Sequence, residues 1–297
     1  MDVDVNAFPP PASRPRLVVV GPVFFEVFPP AGVVAVPGEE RYVDRIPVAL
    51  GGSLNPASVA RALGLDVILV YPAGDGILDA AIAATVARLG IRAVTWPSRP
   101  DPFLSLVYST SSDRGFVSHG DHDALPRCPE LPLGDWVHVG GVKEAYAFPA
   151  RIADVRARGA RIAVTGCWSP PDLARLAGER NRPWDLLILN RKEAAVATGA
   201  TDPAPERLAE CAADVVITDG AQGAVGVIDG ARVDVAANEA TVVDLTGAGD
   251  AFAAGLLVGR MRGLAPRDAL ELAARVAARI GGRHGGVVMD ASALKDL

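Results

Sequence analysis

Runs of aliphatic and β-branched residues alternate with stretches of helical periodicity along most of this chain. The runs are RLVVVG (residues 16–21), DVILVYP (66–72), RIAVTG (161–166), DLLILN (185–190), DVVITDG (214–220) and a run ending at Leu245. Helix-patterned stretches such as ILDAAIAATVARLG (77–90) separate them. Continuous apolar strands between helices are typical of a parallel sheet that is buried on both faces. We therefore predict an α/β fold, a three-layer α/β/α sandwich around a mostly parallel central sheet.

The alternation is interrupted over residues 32–50 and residues 103–120. Both segments are rich in valine and turn residues and have little helical periodicity, which predicts short antiparallel strands projecting from the main sheet. A small β-sheet lid of this kind could cover a ligand site. Because we find no internal repeat and no linker, we expect a single domain over residues 1–297, with a loose proline-rich tail over residues 1–15.

The composition favours a small ligand over a macromolecular partner. The net charge of −6 over 297 residues argues against nucleic acid or an anionic membrane surface. The three cysteines, Cys128, Cys167 and Cys211, are far apart and odd in number, as in a cytoplasmic protein with reduced thiols. No apolar run approaches about 20 residues, so no membrane span is expected. The P-loop, HExxH and GxSxG patterns are absent from the sequence, which weakens metalloprotease and hydrolase interpretations.

The segment VVDLTGAGDAFAAGLL (residues 242–257) predicts an anion-binding turn. Gly247, Ala248 and Gly249 follow a β-branched run and precede a helix, so their backbone amides can approach a ligand at the helix N-terminus. Asp250 in the same turn could accept a proton from a hydroxyl group. The alternative is a structural cap in a tight turn. A dinucleotide fingerprint does not fit, because its sixth position is Phe252.

The segment NRKE (residues 190–193) follows the strand DLLIL. Asn190 and Glu193 are three residues apart and share one face at the start of a helix. An amide and a carboxylate there suit a hydrated Mg²⁺ that carries nucleotide phosphates. The alternative is a helix start that resembles a capping box.

Three further segments contain glycine or titratable groups with open interpretations. In GGSLNPA (residues 51–57), Gly51 and Gly52 let a polyol approach and Asn55 could bind a hydroxyl; equally, Asn55 is a helix N-cap with proline at the first helical position. In ITDGAQGA (residues 217–224), the glycines could admit a nucleotide, or form a plain hairpin turn. For HGDHD (residues 119–123), metal binding and substrate contact are alternatives to the solvated loop that we expect.

These segments, in this order, resemble the ribokinase-like carbohydrate kinases, also called the phosphofructokinase-B family. GGSLNPASVARALG (51–64) is similar to the N-terminal signature, NRKE to the NxxE magnesium motif, VVITDGAQGA (215–224) to the nucleotide segment and DLTGAGDAFAAGLL (244–257) to the C-terminal signature. The resemblance covers residues 16–289. It implies ATP-dependent transfer of the γ-phosphoryl group to a hydroxymethyl group of a sugar or related polyol, with ATP and Mg²⁺ required.

The resemblance also assigns roles to residues. Asp250 would be the base, with the amides of Gly247, Ala248, Gly249 and Asp250 as the anion hole. Asn190 and Glu193 would order the waters on Mg²⁺.

At the nucleotide site, the resemblance implies that Thr218, Gly220 and Gly223 border the nucleotide. Asp244, Thr246 and GGRHGG (residues 281–286) would hold a monovalent cation such as K⁺, as in some members.

The substrate segments depart from the family pattern. The position that is commonly a sugar-binding aspartate falls at Glu26, and the spacing from Gly51 and Gly52 to Asn55 is one residue shorter than in many members. TGCWSP (residues 165–170) stands where many members have a DxNxR-like segment, and DLTGAGD replaces DTTGAGD. None of these departures touches the catalytic turn.

Several alternatives to a sugar kinase follow from the lid segments. A nucleoside would need an aromatic surface from Phe103, Tyr108 or Phe116. A phosphorylated sugar could be bound by one of three arginines, Arg41, Arg45 or Arg114. A non-catalytic sugar-binding protein of the same fold is the rival from another class. By analogy with the family, the lid is expected to pair two subunits in a homodimer.

Overall fold

The computed structural model describes residues 14–30, 32–33, 36–101, 103–109, 114–181, 183–238, 246–283 and 285–297. The strands are β1 Arg16–Val20, β2 Val23–Val27, β3 Val48–Gly52, β4 Asp66–Ala73, β5 Arg92–Pro97, β6 Phe103–Ser109, β7 Arg114–Gly120, β8 Trp136–Val139, β9 Arg161–Thr165, β10 Trp184–Asn190, β11 Ala212–Thr218, β12 Ala224–Ile228 and β13 Ala231–Val235. The helices are α1 Leu54–Ala62, α2 Ile77–Arg88, α3 Val142–Ala147, α4 Pro149–Ala157, α5 Pro170–Arg175, α6 Arg191–Thr198, α7 Ala248–Met261 and α8 Pro266–Gly281.

The predicted three-layer sandwich is confirmed. A nine-stranded sheet has the order β13-β12-β11-β10-β9-β8-β1-β4-β5, and the pairs from β11 to β5 are parallel. Every residue of β1 is buried. Leu17 and Val19 face the core under α1, α2, α7 and α8, whereas Val18 and Val20 face the core under α3 to α6. The continuous apolar runs therefore reflect strands covered by helices on both faces.

At one edge the sheet becomes antiparallel, where β12 pairs with β11 and β13 pairs with β12. In β12 buried and half-buried residues alternate, as expected for strands with a single covered face. The predicted strand that ends at Leu245 falls on residues 241–245, which lie outside the described part of the chain.

The lid is a separate four-stranded sheet with the order β3-β2-β6-β7. The hairpin over residues 103–120 is confirmed, since β6 and β7 pair antiparallel. The other segment was placed wrongly, because within residues 32–50 strand β3 begins only at Val48, and the described residues before it form no helix or strand. The sequence prediction also missed β2, the strand that follows β1 directly and pairs with both β3 and β6.

Small residues let α7 and α8 approach each other closely. A Cβ atom added at Gly255 would lie 2.9 Å from Cα of Ala273, and one at Gly259 would lie 2.9 Å from Cα of Ala269. Residues 251–259 of α7 are all buried. Because α7 is fixed along its length, its N-terminal turn, which carries Asp250, is held at one place on the sheet edge.

Among the described residues, none of the helices is both long and apolar enough to cross a bilayer.

Candidate active site

The carboxyl ends of the parallel strands bring most of the predicted segments together. In the β10–β11 pairing, Asn190 lies opposite Thr218, so the segments NRKE and ITDG are neighbours at the sheet edge. Strand β8 leads to Gly140 and Gly141, and β9 leads to Gly166. Ligands of open α/β sheets bind beyond this edge. The predicted site therefore coincides with the place where the topology favours a ligand.

The glycine-rich turn before α7 forms a cradle of backbone amides. Gly247 is the N-cap, with a left-handed φ of 76°. The first intrahelical bond runs from the amide of Ala251 to the carbonyl of Gly247, at 2.8 Å. The amides of Ala248, Gly249 and Asp250 consequently have no acceptor within the helix. A Cβ at Gly249 would meet nothing within 4 Å, so the turn is open on that side, as an anion site requires.

Asp250 is held by a side chain from a different helix. Nδ2 of Asn55 donates a hydrogen bond of 2.9 Å to Oδ2 of Asp250. Asn55 is 2% exposed, and within the described residues its Oδ1 atom is buried without a hydrogen-bond partner. A buried acceptor of this kind points to a donor supplied by a ligand, such as a hydroxyl group.

The predicted role of Asn55 as a helix N-cap is wrong. Helix α1 begins at Leu54 with Ser53 as its N-cap, and Leu54 is fully buried in the core. Asn55 is therefore inside the first turn, where the following Pro56 is still tolerated. This position leaves the amide of Asn55 available for Asp250.

Gly286 packs closely against the side chain of Asn55. A Cβ at Gly286 would lie 2.6 Å from Cγ of Asn55, and one at Gly247 would lie 2.5 Å from Cα of Gly286. Gly286 of the GGRHGG segment thus packs against the glycine-rich turn before α7. Thr246 is buried, whereas Asp244 lies outside the described residues. The monovalent-cation site remains a prediction.

Asn190 and Glu193 form the capping box that was the alternative interpretation of NRKE. Oδ1 of Asn190 accepts from the amide of Glu193 at 2.9 Å, and Oε2 of Glu193 accepts from the amide of Asn190 at 2.9 Å. Burial, and then the nearby charge of Asp250, raise the pKa of Glu193 to about 7. Glu193 is 7% exposed, and the charge of Asp250 acts on its carboxyl, so the capping box keeps Glu193 at the same sheet edge as the glycine-rich turn.

Gly166 makes room for Glu193. A Cβ there would lie 2.1 Å from Oε2 of Glu193, so any larger residue would displace the carboxylate. Gly166 lies within TGCWSP, so this segment contacts the carboxyl group of Glu193.

The sequence prediction did not identify two side chains at this edge, the thiol of Cys167 and the carboxyl of Glu144. Cys167 adopts a left-handed φ of 54°, and desolvation, followed by the carboxylates of Glu144, Glu193 and Asp250, raises the pKa of its thiol. Glu144 is 4% exposed, and its Oε2 atom is buried without a hydrogen-bond partner among the described residues. Glu144 and Cys167 both lie against Gly141. Since β8–β9 pairing creates this proximity, no sequence spacing could have indicated it.

Glu26 lies on the inner face of the lid. It is 7% exposed, and a Cβ at Gly51 would lie 2.1 Å from its Oε1 atom. In the register, Glu26 lies opposite Ser105, whose hydroxyl is 2.8 Å from that of Ser118. Gly51 thus provides space for a carboxylate, and the inner lid presents polar groups to the cleft.

The nucleotide segment is a hairpin connection between β11 and β12. Thr218 ends β11, and Gly220 begins a 3₁₀ turn, Gly220–Gln222, with open space where its Cβ would be. A Cβ at Gly223 would lie 2.1 Å from the carbonyl oxygen of Val235. Contact with β13 therefore explains why Gly223 is a glycine, while Gly220 faces open space.

The HGDHD segment is exposed at His119, His122 and Asp123, as the solvated-loop prediction requires, but Asp121 is buried. Asp121 is 4% exposed and accepts hydrogen bonds from the Ser98 hydroxyl and the Arg99 amide. Across the described residues, no group of three or more His, Cys, Asp or Glu side chains is arranged to hold a metal ion. His122 is exposed and begins a 3₁₀ turn, His122–Arg127.

Solved structures with this architecture are ribokinase-like kinases. Adenosine kinase from Sinorhizobium meliloti superposes with a TM-score of 0.76 at 20% identity, covering 96% of this chain and 99% of that chain. Arabidopsis thaliana ribokinase, solved with ribose and ATP, superposes with a TM-score of 0.73 at 18% identity, covering 96% and 98%. These similarities establish a ribokinase-like α/β fold.

The sequence itself identifies the family. The sequence model of the pfkB family carbohydrate kinases matches residues 15–291. The chain belongs to this family. A curated relative, the bifunctional protein HldE of Caulobacter sp. (strain K31), is 28% identical; the alignment covers all of this chain and 65% of that protein. The chain thus spans somewhat less than two thirds of that relative's length.

Proposed function

We propose that this protein is an ATP-dependent kinase that transfers the γ-phosphoryl group of Mg·ATP to a hydroxyl group of a sugar or sugar-like polyol. The observation that carries the proposal is the Asn55–Asp250 hydrogen bond beside the amide cradle of α7. The proposed base and anion site are thereby adjacent, and Asn55 adds a buried hydrogen-bond acceptor, its Oδ1 atom, next to them.

In the proposed reaction, the acceptor oxygen attacks the γ-phosphorus and the bond to the β–γ bridging oxygen breaks, which releases ADP. Asp250 takes the hydroxyl proton. A carboxylate with a reference pKa near 4 is a weak base, but a loose phosphoryl-transfer transition state needs little activation of the nucleophile. The amides of Ala248, Gly249 and Asp250 stabilise the charge on the transferring group.

The residues fit a magnesium ion bound through water. Glu193 keeps one carboxylate oxygen in the capping box, which leaves its other oxygen to orient a water molecule, and Asn190 is exposed at the sheet edge. When bound, Mg²⁺ would neutralise phosphate charge and orient the γ-phosphate. Thr218 and Gly220 would border the nucleotide, since Thr218 is the register neighbour of Asn190.

The groups on the inner lid face support a sugar or polyol, although Phe116, opposite Val107 on that face and 52% exposed, keeps a nucleoside as the alternative acceptor. Phe103 is 1% exposed, and its ring packs against Phe24 at 5.3 Å between centroids, so it offers little surface for stacking a base. Tyr108 alternates with the inward-facing Val107 and lies on the outer lid face. Glu26, Asn55 and the Ser105–Ser118 pair instead provide hydrogen-bonding groups suited to hydroxyls.

The outer face of the lid supports the proposed homodimer. Val48 and Val117 are 57% and 62% exposed, and Val117 lies opposite the partly exposed Leu106 in the register. Exposed apolar sheet surface of this kind is typical of a protein interface.

The test is ADP release from Mg·ATP across a panel of sugars, sugar phosphates, sugar acids and nucleosides. Asp250→Asn should retain the fold, since an amide has the same shape, and should lower turnover by about 100- to 10,000-fold. Full turnover by this variant on the best acceptor would rule out Asp250 as the base. Mg·ATP binding without turnover on any acceptor would favour the non-catalytic alternative.

A further inference from the structure

Lys143 is a cation at the cleft with no ion-pair partner in the described part of the chain. It occupies the second position of α3, which begins directly after β8 at the carboxyl edge of the sheet. By contrast, Arg191 at the same sheet edge is paired with Asp219 at 3.1 Å and Asp202 at 2.7 Å. A chain with only three lysines thus places one of them, uncompensated by an ion pair, beside its candidate site.

The first turn of α3 packs against the end of strand β9, next to the candidate site. The amide of Val142 donates to the carbonyl of Gly166 at 3.1 Å, and a Cβ at Gly141 would lie 3.1 Å from Cβ of Cys167. Gly166 in turn contacts Glu193. The first turn of α3 and the carboxyl group of Glu193 therefore both contact Gly166.

His122 reaches the same region from the lid side. Its ring lies against Phe103 at 5.9 Å between centroids, and Phe103 packs on Phe24 of the inner lid. The 3₁₀ turn His122–Arg127 packs against α3. Partial burial, and then the charge of Lys143, lower the pKa of His122, in agreement with the proximity of the two side chains.

These contacts connect the lid to the sheet edge. Asn55 on α1 contacts Asp250, and Phe103 of the inner lid contacts His122. The turn that begins at His122 packs against α3, the helix that carries Lys143. An acceptor whose hydroxyl is at Asp250 would direct its distal end toward Lys143 and His122.

We infer that Lys143 and His122 bind an anionic group, a phosphate or a carboxylate, at the end of the acceptor distant from the reacting hydroxyl. The inference rests on the proposed kinase function and narrows its substrate class to sugar phosphates and sugar acids. Lysine supplies the charge, and the imidazole of His122 supplies a hydrogen-bond donor. The arginines considered from the sequence fit less well, because Arg41 is half-exposed and paired with Glu39 and Arg45 is exposed. The side chain of Arg114 lies outside the described residues.

The experiment measures ADP release with matched neutral and anionic acceptors. Fructose is compared with fructose 1-phosphate and fructose 6-phosphate, and glucose with gluconate and glucose 6-phosphate. We expect the best anionic acceptor to exceed its neutral counterpart in kcat/KM by at least about 10-fold. The phosphate and acid arms identify which anion the pair accepts.

Substitutions of Lys143 and His122 then test whether the preference for anionic acceptors depends on these two residues. Lys143→Gln should raise the KM of the anionic acceptor by about 10- to 100-fold, and His122→Gln by about 5-fold. The KM of ATP and the kcat/KM of a neutral acceptor should change by less than about 2-fold in both variants. Lys295→Gln, the same substitution at an exposed lysine in the C-terminal segment, serves as the matched control and should change neither.

Calorimetry of the anionic acceptor with wild type and Lys143→Gln provides a readout that does not depend on turnover. Equal affinity of the two proteins, or equal use of neutral and anionic acceptors, overturns the inference while leaving the kinase intact. A rise in the KM of ATP alone would place Lys143 on the nucleotide, and a lower Tm without any acceptor effect would make it a countercharge for Glu144; either result overturns the inference. Absence of ADP release with every acceptor would instead overturn the proposed function itself.

Discussion

Nδ2 of Asn55 lies 2.9 Å from Oδ2 of Asp250, although the two residues are 195 positions apart. The contact joins the first turn of α1 to the first turn of α7, and Gly286 packs against Asn55 from the opposite side. The Asn55 amide therefore fixes the orientation of the Asp250 carboxylate, which we propose takes the proton of the acceptor hydroxyl.

Replacement of Asn55 by alanine tests this coupling. Loss of a hydrogen bond to a charged group should lower kcat by about 10- to 100-fold, with a smaller effect on the KM of ATP. Ser58→Ala is the matched control on the same helix, because Ser58 bonds to the carbonyl of Asn55 and to the amide of Val288. Ser58→Ala should cost about 1 to 3 kcal/mol of stability and leave kcat unchanged. Equal losses of kcat in both variants would show that Asn55 acts only through the packing of α1.

Two glycines of the catalytic turn should respond differently to alanine. Gly247→Ala must adopt a left-handed φ and would bring its Cβ to 2.5 Å from Cα of Gly286. We expect a loss of about 2 to 4 kcal/mol in the free energy of unfolding, measured by urea denaturation.

Gly249→Ala should leave stability unchanged, because its Cβ would meet no protein atom within 4 Å. The methyl group would instead occupy the space above the amide cradle, and we expect kcat to fall by about 100-fold. If Gly249→Ala remained fully active, the transferring phosphate would not lie over this turn.

Much of this architecture could be predicted, since strands buried on both faces require the uninterrupted apolar runs seen in β1, β4, β9, β10 and β11. Strand β2 was missed because it follows β1 after only two residues, Gly21 and Pro22, and reads as part of a loop. Asn55 was misplaced because Asn-Pro is typical of a helix start, whereas proline is also tolerated later in the first turn, and the helix begins at Leu54. Glu144 and Cys167 become neighbours only through β8–β9 pairing, which no local pattern encodes.

A single charged substitution tests the proposed dimer interface on the outer face of the lid. Val117→Lys places an ammonium on the outer face of β7, opposite Leu106, and should convert the proposed dimer to a monomer. Leu133→Lys, at a 46% exposed position between β7 and β8, is the control and should not change the mass. Light scattering coupled to size-exclusion chromatography measures both; a mass that is insensitive to Val117→Lys would exclude this face.

The pH dependence of the reaction should be governed by Glu193. Burial and the charge of Asp250 raise the pKa of this carboxyl from 4.5 to about 7, and orientation of magnesium-bound water requires the ionised form. In wild type, kcat/KM should therefore rise with pH through a midpoint near 7. Glu193→Gln keeps an acceptor for the Asn190 amide. This variant should no longer show the rise in kcat/KM near pH 7, and its activity should be lower by about 10- to 100-fold.

The stability of the fold should also depend on the ionisation of Glu193, but it should decrease as the pH rises, whereas the activity should increase. Because the pKa of Glu193 is higher in the folded state, its protonated form stabilises the fold below pH 4.5, and that contribution is lost as the pH rises through 7. The Tm of wild type should thus fall between pH 6 and pH 8 by more than that of Glu193→Gln. Glu144→Gln is the discriminating control, since burial also raises the pKa of Glu144. If the rise in kcat/KM near pH 7 disappeared in Glu144→Gln and persisted in Glu193→Gln, the ionisation would belong to Glu144. Glu193 would then serve only to begin α6.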